Sequence, residues 1–268
     1  MQAAESFPPV RKTPIFFPFG ESGSWGRMML STEIDGKTIN YIDIDDPYFI
    51  NIFPHVKPHT ITSAAGPVTL WVLFKSIEYI VKNNIPGDIA ECGVWNGGSM
   101  LLAALALNYF GDTSRRIYLY DTFAGMPRPE DVDKRWDGVP ALPTWQNATA
   151  TGERWGFGGT LDTVRSVMAA SNYPEDKLVF VEGMVEDTVP GQAADQLSLL
   201  RLDTDLYKST YHELVHLYPR LATGGILIID DYGYFQGSRA ATDQYIAENN
   251  LKLFLTRIDE SVRLVVKP

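Results

Sequence analysis

Two carboxylates one residue apart, Asp203 and Asp205, close the apolar run of "SLLRLDTDL". A pair at this spacing can share acid and base work, anchor a divalent cation or shape a turn. The rest of the chain repeats the theme. "DIAECG", "RIYLYD", "KLVFVE" and "GILIIDD" are short apolar runs that reach Glu91, Asp121, Glu182 and the Asp230-Asp231 pair. So many acids at equivalent positions need partners or a metal once the runs are buried. Asp203 with Asp230 and Asp231 makes an all-oxygen donor set suited to magnesium or another divalent cation.

"ECGVWNGGS" follows the first run and opens a helical stretch, the arrangement in which glycines let a ligand approach the backbone at a helix start. Its glycines, Gly93, Gly97 and Gly98, depart from G-x-G-x-x-G, which weakens a dinucleotide reading. Asp121 ends the second run, where a carboxylate can accept hydrogen bonds from both hydroxyls of a ribose. "HELVH" at 212–216 has zinc-protease spacing. It sits inside a helical stretch whose Leu214, Val215 and Leu217 supply packing surface, and only His55 and His59 remain as further histidines. The motif therefore reads as a structural helix, away from the strand ends.

Positioning these residues requires the five runs to lie side by side. Helical stretches separate them: "GSMLLAALALNYF", "TLDTVRSVMAAS", a weak one at "PGQAADQ", and "STYHELVHLYPRL". This alternation predicts an α/β fold, a doubly wound, mostly parallel sheet with helices on both faces. A last helix near 238–249 precedes "LKLFLTRI" and "SVRLVVK", which predict an antiparallel C-terminal hairpin. Ligands of such sheets bind beyond the carboxyl ends of the strands, where the acids fall. Apolar spacing predicts the first regular helix from Leu70 to Val81, ended by Pro86. Residues 1–60 read as an N-terminal arm or lid, within which "KTINYIDID" can form a strand, and 61–268 as the main domain. The segment 122–159, with Trp136, Trp145 and Trp155, is too long for a plain connection and reads as a substrate-facing lid.

At 268 residues, 45% of them apolar, the chain can bury a full core. A formal net charge of −10 argues against a nucleic-acid partner. The single cysteine, Cys92, excludes an internal disulfide. No apolar stretch has the length of a membrane span or the form of a leader, so the expectation is a cytoplasmic protein with no membrane partner.

The D-x-D of "RLDTDL" resembles the signature of haloacid-dehalogenase-like phosphatases, with "ILIIDD" as the later acidic pair. However, three strands precede it, where that family has none. Glycosyltransferases also use D-x-D. A broader match comes from "NNIPGDIAECGVWNGGSMLLAALAL", "LYDTFAGMP", "EDTVP" and "LRLDTDLYKSTYHELVHLYPRLATGGILIIDDYG". These blocks, in order over roughly residues 60–250, resemble the macrocin O-methyltransferase (TylF-type) family of magnesium-dependent S-adenosylmethionine enzymes that methylate deoxysugar hydroxyls on natural products.

The resemblance implies a Rossmann-like class I methyltransferase sheet. It implies that Glu91, Gly93, Val94 and Ser99 hold the methionine part of S-adenosylmethionine, Asp121 the ribose with Thr122 and Phe123 beside it, and Gly183 and Val185 the adenine. Thr62 and Ser63 match an element that approaches the cofactor's carboxylate, and Asp203, Asp230 and Asp231 match the magnesium ligands. The sequence departs from the family at Asn96, where arginine is common, and at Lys208, where glutamate is common. The implied reaction is methyl transfer to a sugar hydroxyl of a glycoside acceptor whose diol magnesium chelates, with Asp203 and Asp205 catalytic and either able to take the proton. Lys208 reads as a solvated charge. A D-x-D phosphatase and a catalytically idle S-adenosylmethionine-binding protein are the alternatives. An N-terminal arm rich in Pro, Gly and aromatics is suited to crossing onto a second subunit, which predicts a homo-oligomer.

Overall fold

Side chains alternate across a strand, and here both sets are apolar, so each strand must be covered twice. The computed structural model, which describes residues 30–34, 37–61 and 67–268, shows how. Seven strands form one sheet: β3 (Asp88–Cys92), β4 (Ile117–Asp121), β5 (Leu178–Glu182), β6 (Leu197–Leu202), β7 (Leu221–Ile229), β8 (Thr256–Arg257) and β9 (Arg263–Val266). Their order is β5-β4-β3-β6-β7-β9-β8. β3 to β7 run parallel, and β9 pairs antiparallel with both β7 and β8.

The two faces are covered by different helices. Ile89, Leu119, Leu199 and Ile228 pack with α1 (Pro47–Val56), α2 (Val68–Lys82), α3 (Gly98–Phe110) and α5 (Leu161–Ala169). Ala90, Tyr120, Leu200 and Ile229 pack with α6 (Val185–Thr188), α7 (Tyr207–His216) and α8 (Gln236–Glu248). Gly98 to Leu107 of α3 are all buried, which explains a helix apolar on every side. None of the described helices is long and apolar enough to cross a membrane.

Three elements differ from expectation. α1, unforeseen, carries Phe49, Ile52, Phe53 and Val56 at helical spacing into the main core. Asp46 starts it by accepting from the Tyr48 and Phe49 amides. "PGQAADQ" is no helix; the short α6 precedes it, and Pro190 opens a turn closed by Ala193 N–H onto its carbonyl. The C-terminal hairpin is minimal, because only Thr256 and Arg257 of its first arm pair with β9. "KTINYIDID" supplies β2 (Lys37–Tyr41), paired with β1 (Leu30–Ile34). Residues 1–29, the rest of the arm, lie outside the described residues.

Candidate active site

The parallel ladder runs one residue past the strand ends: Asp203 N donates to Cys92 O at 2.8 Å and Asp230 N to Leu202 O at 2.9 Å. That sets Asp203 and Asp230 side by side at the carboxyl edge. Glu91 and Arg201 are register partners on β3 and β6. Arg201 therefore lies behind the aspartates, two residues before Asp203 and on its face. Its guanidinium pairs with Glu91 and Asp203 through Nη1 and donates to Asp230 Oδ1 at 2.6 Å through Nη2. One buried cation thus serves three acids, and sequence reasoning missed it. The signal was present: a lone charged residue inside a buried run.

Ligand atoms of Asp203, Asp205 and Asp231 lie within 4.8 Å of one another. The expected trio was Asp203, Asp230 and Asp231; in this structure Asp230 turns to Arg201 and Asp205 completes the cluster. Asp205 holds a left-handed backbone, φ +66°, which a short polar side chain tolerates. The carboxyls of Asp205 and Asp231 lie close enough to perturb each other. Burial first, and then neighbouring acids, push Asp203 and Asp231 well above the carboxylate range. Burial pushes Asp205 up to about 7, its bond with Asp231 opposing the rise. Glu91 is likewise pushed to about 7 by burial, with Arg201 pulling it down. Asp231 Oδ2 is buried without a hydrogen-bond partner.

A cavity of about 1050 Å³ opens on this cluster. Gly93, Val94, Ser99, Asp121, Thr122, Gly183 and Val185 are among the residues that line it. Glu91 and Phe123 lie behind that wall, 1% and 5% exposed, so they shape it without lining it. Thr62 and Ser63 lie outside the described residues. Gly93 has φ +82°, and a Cβ there would stand 1.9 Å from the Asp203 carbonyl oxygen, so no other residue fits the turn. Asp121 accepts from the amides of Val94 (2.6 Å), Trp95 (3.1 Å) and Phe123 (2.7 Å). Its carboxylate ties the glycine turn to β4, and two oxygens retain acceptor capacity beyond three bonds.

The long insertion is built, not loose. It contains α4 (Leu142–Ala150). Buried Asp133 pins it by accepting from the amides of Glu130 and of Tyr207 at the start of α7. Of its tryptophans, Trp136 lines the cavity, whereas Trp145 donates to Met126 O and Trp155 packs edge-on against Phe235.

The "HELVH" helix needs one correction. Glu213 reaches the strand ends: fully buried, it accepts through Oε1 from Thr204, the residue between the two aspartates, at 2.9 Å. Its Oε2 has no partner, and burial pushes its carboxyl up to about 8, with Glu186 adding to the rise. His212 engages Val189 O, and its ring lies tilted against that of His216 at 4.3 Å. Lys208 is exposed, 3.9 Å from Glu186 Oε1.

A folded-state value near 8 against an ordinary 4.5 means the native protein holds a proton that the unfolded chain releases. Stability from this group is fully present below about 4.5 and is lost as pH rises toward 8. Glu213→Gln keeps the acceptor for Thr204 and removes the titration. The variant is expected to flatten the pH dependence of unfolding free energy between pH 5 and 8 by on the order of 1 kcal/mol per unit. Urea melts across that range check this, and parallel slopes for the two proteins would exclude it.

Comparison with known proteins agrees with the geometry. The family model for macrocin O-methyltransferase (TylF) matches residues 55–265. The 8-demethyl-8-(2,3-dimethoxy-alpha-L-rhamnosyl)-tetracenomycin-C 4'-O-methyltransferase of Streptomyces olivaceus is 35% identical over 68% of this chain and 67% of its own. The demethyldecarbamoylnovobiocin O-methyltransferase of Streptomyces niveus is 32% identical over 68% and 67%. The solved structure of the O-methyltransferase NovP superposes with a TM-score of 0.67 at 27% identity, over 78% of this chain and 83% of that one. With the glycine turn, the acid-ended strands and the sheet order all in place, the chain belongs to the macrocin O-methyltransferase (TylF) family.

Proposed function

We propose that the protein transfers a methyl group from S-adenosylmethionine to a hydroxyl of a deoxysugar on a glycosylated natural product, with a divalent cation at the aspartate cluster. The observation that carries this reading is one cavity joining the glycine turn and Asp121 to Asp203, Asp205 and Asp231. Methyl transfer from a sulfonium needs its two partners aligned and little else, so positioning dominates.

The residues fit both groups. Gly93 leaves the turn open to close approach, and Asp121, Gly183 and Val185 continue the same wall. The buried, unpartnered Asp231 Oδ2 and the clustered oxygens of Asp203 and Asp205 suit magnesium, with Asp230 within reach once it leaves Arg201. A bound cation supplies Lewis acidity that lowers the pKa of a sugar hydroxyl and fixes its orientation. Asp205 receives the hydroxyl proton as the acceptor oxygen takes the methyl group and the sulfur keeps the bonding electron pair. Its place in the cluster beside Asp203 and Asp231 puts its carboxylate next to the site proposed for the acceptor hydroxyl. Trp136 lines the cavity from the insertion.

The test is calorimetry with S-adenosylmethionine followed by methyl-transfer assays on deoxysugar glycosides with and without magnesium. Cofactor binding and magnesium-stimulated turnover are expected. Absence of cofactor binding would reject the reading.

A further inference from the structure

Beyond the acid cluster, the same cavity also has a basic lining. Arg239 of α8, Arg257 of β8 and Arg263 of β9 all line it. In a chain of net charge −10, three guanidiniums on one wall are not part of a general cationic surface. Each is anchored through one nitrogen to a backbone carbonyl: Arg239 Nε to Tyr232 O at 3.1 Å, Arg257 Nε to Asp259 O at 2.8 Å, and Arg263 Nη1 to Val262 O at 2.9 Å. Arg263 Nη1 also reaches the carbonyls of Asp259 and Ser261 at 3.3 Å. Their other nitrogens have no hydrogen-bond acceptor, and none of the three forms an ion pair, among the described residues.

The nearby acids are occupied or set aside. Asp259 Oδ1 accepts from the amides of Ser261 and Val262, and Asp243 accepts from the Tyr232 hydroxyl. Glu260 lines the cavity without pairing. Arg239 and Arg263 lie instead against the Tyr232 ring, at 5.5 and 5.0 Å. Burial, and then repulsion from Arg257 and Arg239, hold Arg263 below its ordinary value. An anion placed among the three relieves that repulsion, and guanidinium forks match phosphate and carboxylate oxygens in pairs.

The basic wall is also at a useful distance. Arg263 is the register partner of Ile229, the residue before Asp230-Asp231. Strand spacing and rise put the Arg263 and Asp231 backbones roughly 8 Å apart. Ser261 fastens the two segments, donating from Oγ to Asp230 O at 2.6 Å. A sugar ring at the aspartates can therefore extend a substituent onto the arginines.

We propose that Arg239, Arg257 and Arg263 form an anion-binding subsite that recognises a phosphate or carboxylate group joined to the acceptor sugar. The proposal rests on the methyl-transfer reading of the same cavity. It narrows the acceptor to two sources of one chemistry, a sugar still attached to a nucleoside diphosphate or a glycoside whose aglycone carries a carboxylate.

Three ligands of one 6-deoxyhexose separate the cases: its thymidine diphosphate ester, its 4-carboxyphenyl glycoside and its neutral methyl glycoside. Each is titrated by calorimetry into protein loaded with S-adenosylhomocysteine at fixed magnesium, then offered as acceptor. At least one anionic ligand is expected to bind about tenfold or more tightly than the neutral one. In R239Q and R263Q the ratio of anionic to neutral affinity is expected to fall toward one. Which anion wins identifies the source. R257Q, at an exposed position, supplies a further variant whose folding is not at risk. Equal affinities in the wild type, or a ratio that survives all three substitutions, would overturn the subsite. Selective anion binding without methyl transfer to any ligand would keep the subsite and reject the reaction; indiscriminate methyl transfer would do the reverse.

Discussion

Asp203→Asn is expected to lower kcat for methyl transfer by about a hundredfold to a thousandfold, with S-adenosylmethionine affinity changed by no more than a few fold. The carboxylate contributes at two points that the amide cannot cover. It supplies one of the three clustered oxygens beside Asp205 and Asp231, and it takes one of the bonds of Arg201. Asparagine preserves the volume and the ladder bond from its own N–H to Cys92 O, so β6 should end as before. Gly93, Val94, Ser99 and Asp121, proposed to hold the cofactor, stand on the turn after β3, the start of α3 and the end of β4, and do not carry the charge at 203. The effect should therefore fall on kcat and on divalent-cation affinity, the latter readable by calorimetry in the absence of any acceptor. A variant with wild-type kcat and wild-type cation binding would remove Asp203 from the site.

Asp205→Asn tests the second carboxylate of the cluster, which is proposed to take the proton. Loss of the proton acceptor should lower kcat and alter the pH dependence of the rate, with cation affinity measured alongside to distinguish the two effects. The contrast follows from position. Asp203 continues a strand, so its side chain is aimed by the sheet, whereas Asp205 is held in the left-handed region by a turn in which Leu206 N–H bonds Thr204 O.

Most of this arrangement could be read from residue order. Apolar runs ending in acids located the strand ends because a parallel sheet buries both faces and leaves polar groups only at the edges. The glycine turn was legible because Gly93 must touch a neighbouring backbone, and the required conformation leaves a mark in residue type. What stayed hidden depends on contacts between distant segments. Glu213 looked like part of a structural helix, since nothing local shows that its carboxyl meets Thr204. Arg239, Arg257 and Arg263 are ordinary surface arginines in sequence and converge only when β9 returns antiparallel to β7. The helix at 47–56 was concealed by Pro47 and Pro54, although Phe49, Ile52, Phe53 and Val56 already carried its period.

Arg201→Met is expected to destabilise the protein by about 3–5 kcal/mol near pH 8, the cost of leaving buried acids without their cation. Arg201 is 8% exposed, Glu91 is 1% exposed, and the guanidinium is the only cation that bonds Glu91, Asp203 and Asp230 among the described residues. Methionine fills similar volume but supplies no charge, so the acids must either repel one another or bind protons. The penalty should therefore shrink as pH falls to 6, where Glu91 and its neighbours, already shifted upward by burial, are more protonated in the folded state. The sign follows from linkage: removing the cation raises the folded-state values further, so stability is lost as pH climbs through them. Lysine is not an adequate substitute, because a point charge cannot reach three carboxylates as a planar fork does. Magnesium should recover part of the lost stability in R201M, since a divalent cation at the cluster replaces the missing charge. Urea unfolding at pH 6 and pH 8, with and without magnesium, measures all three effects. A loss below about 1 kcal/mol at both pH values would show that the aspartates do not need Arg201 to share the end of the sheet.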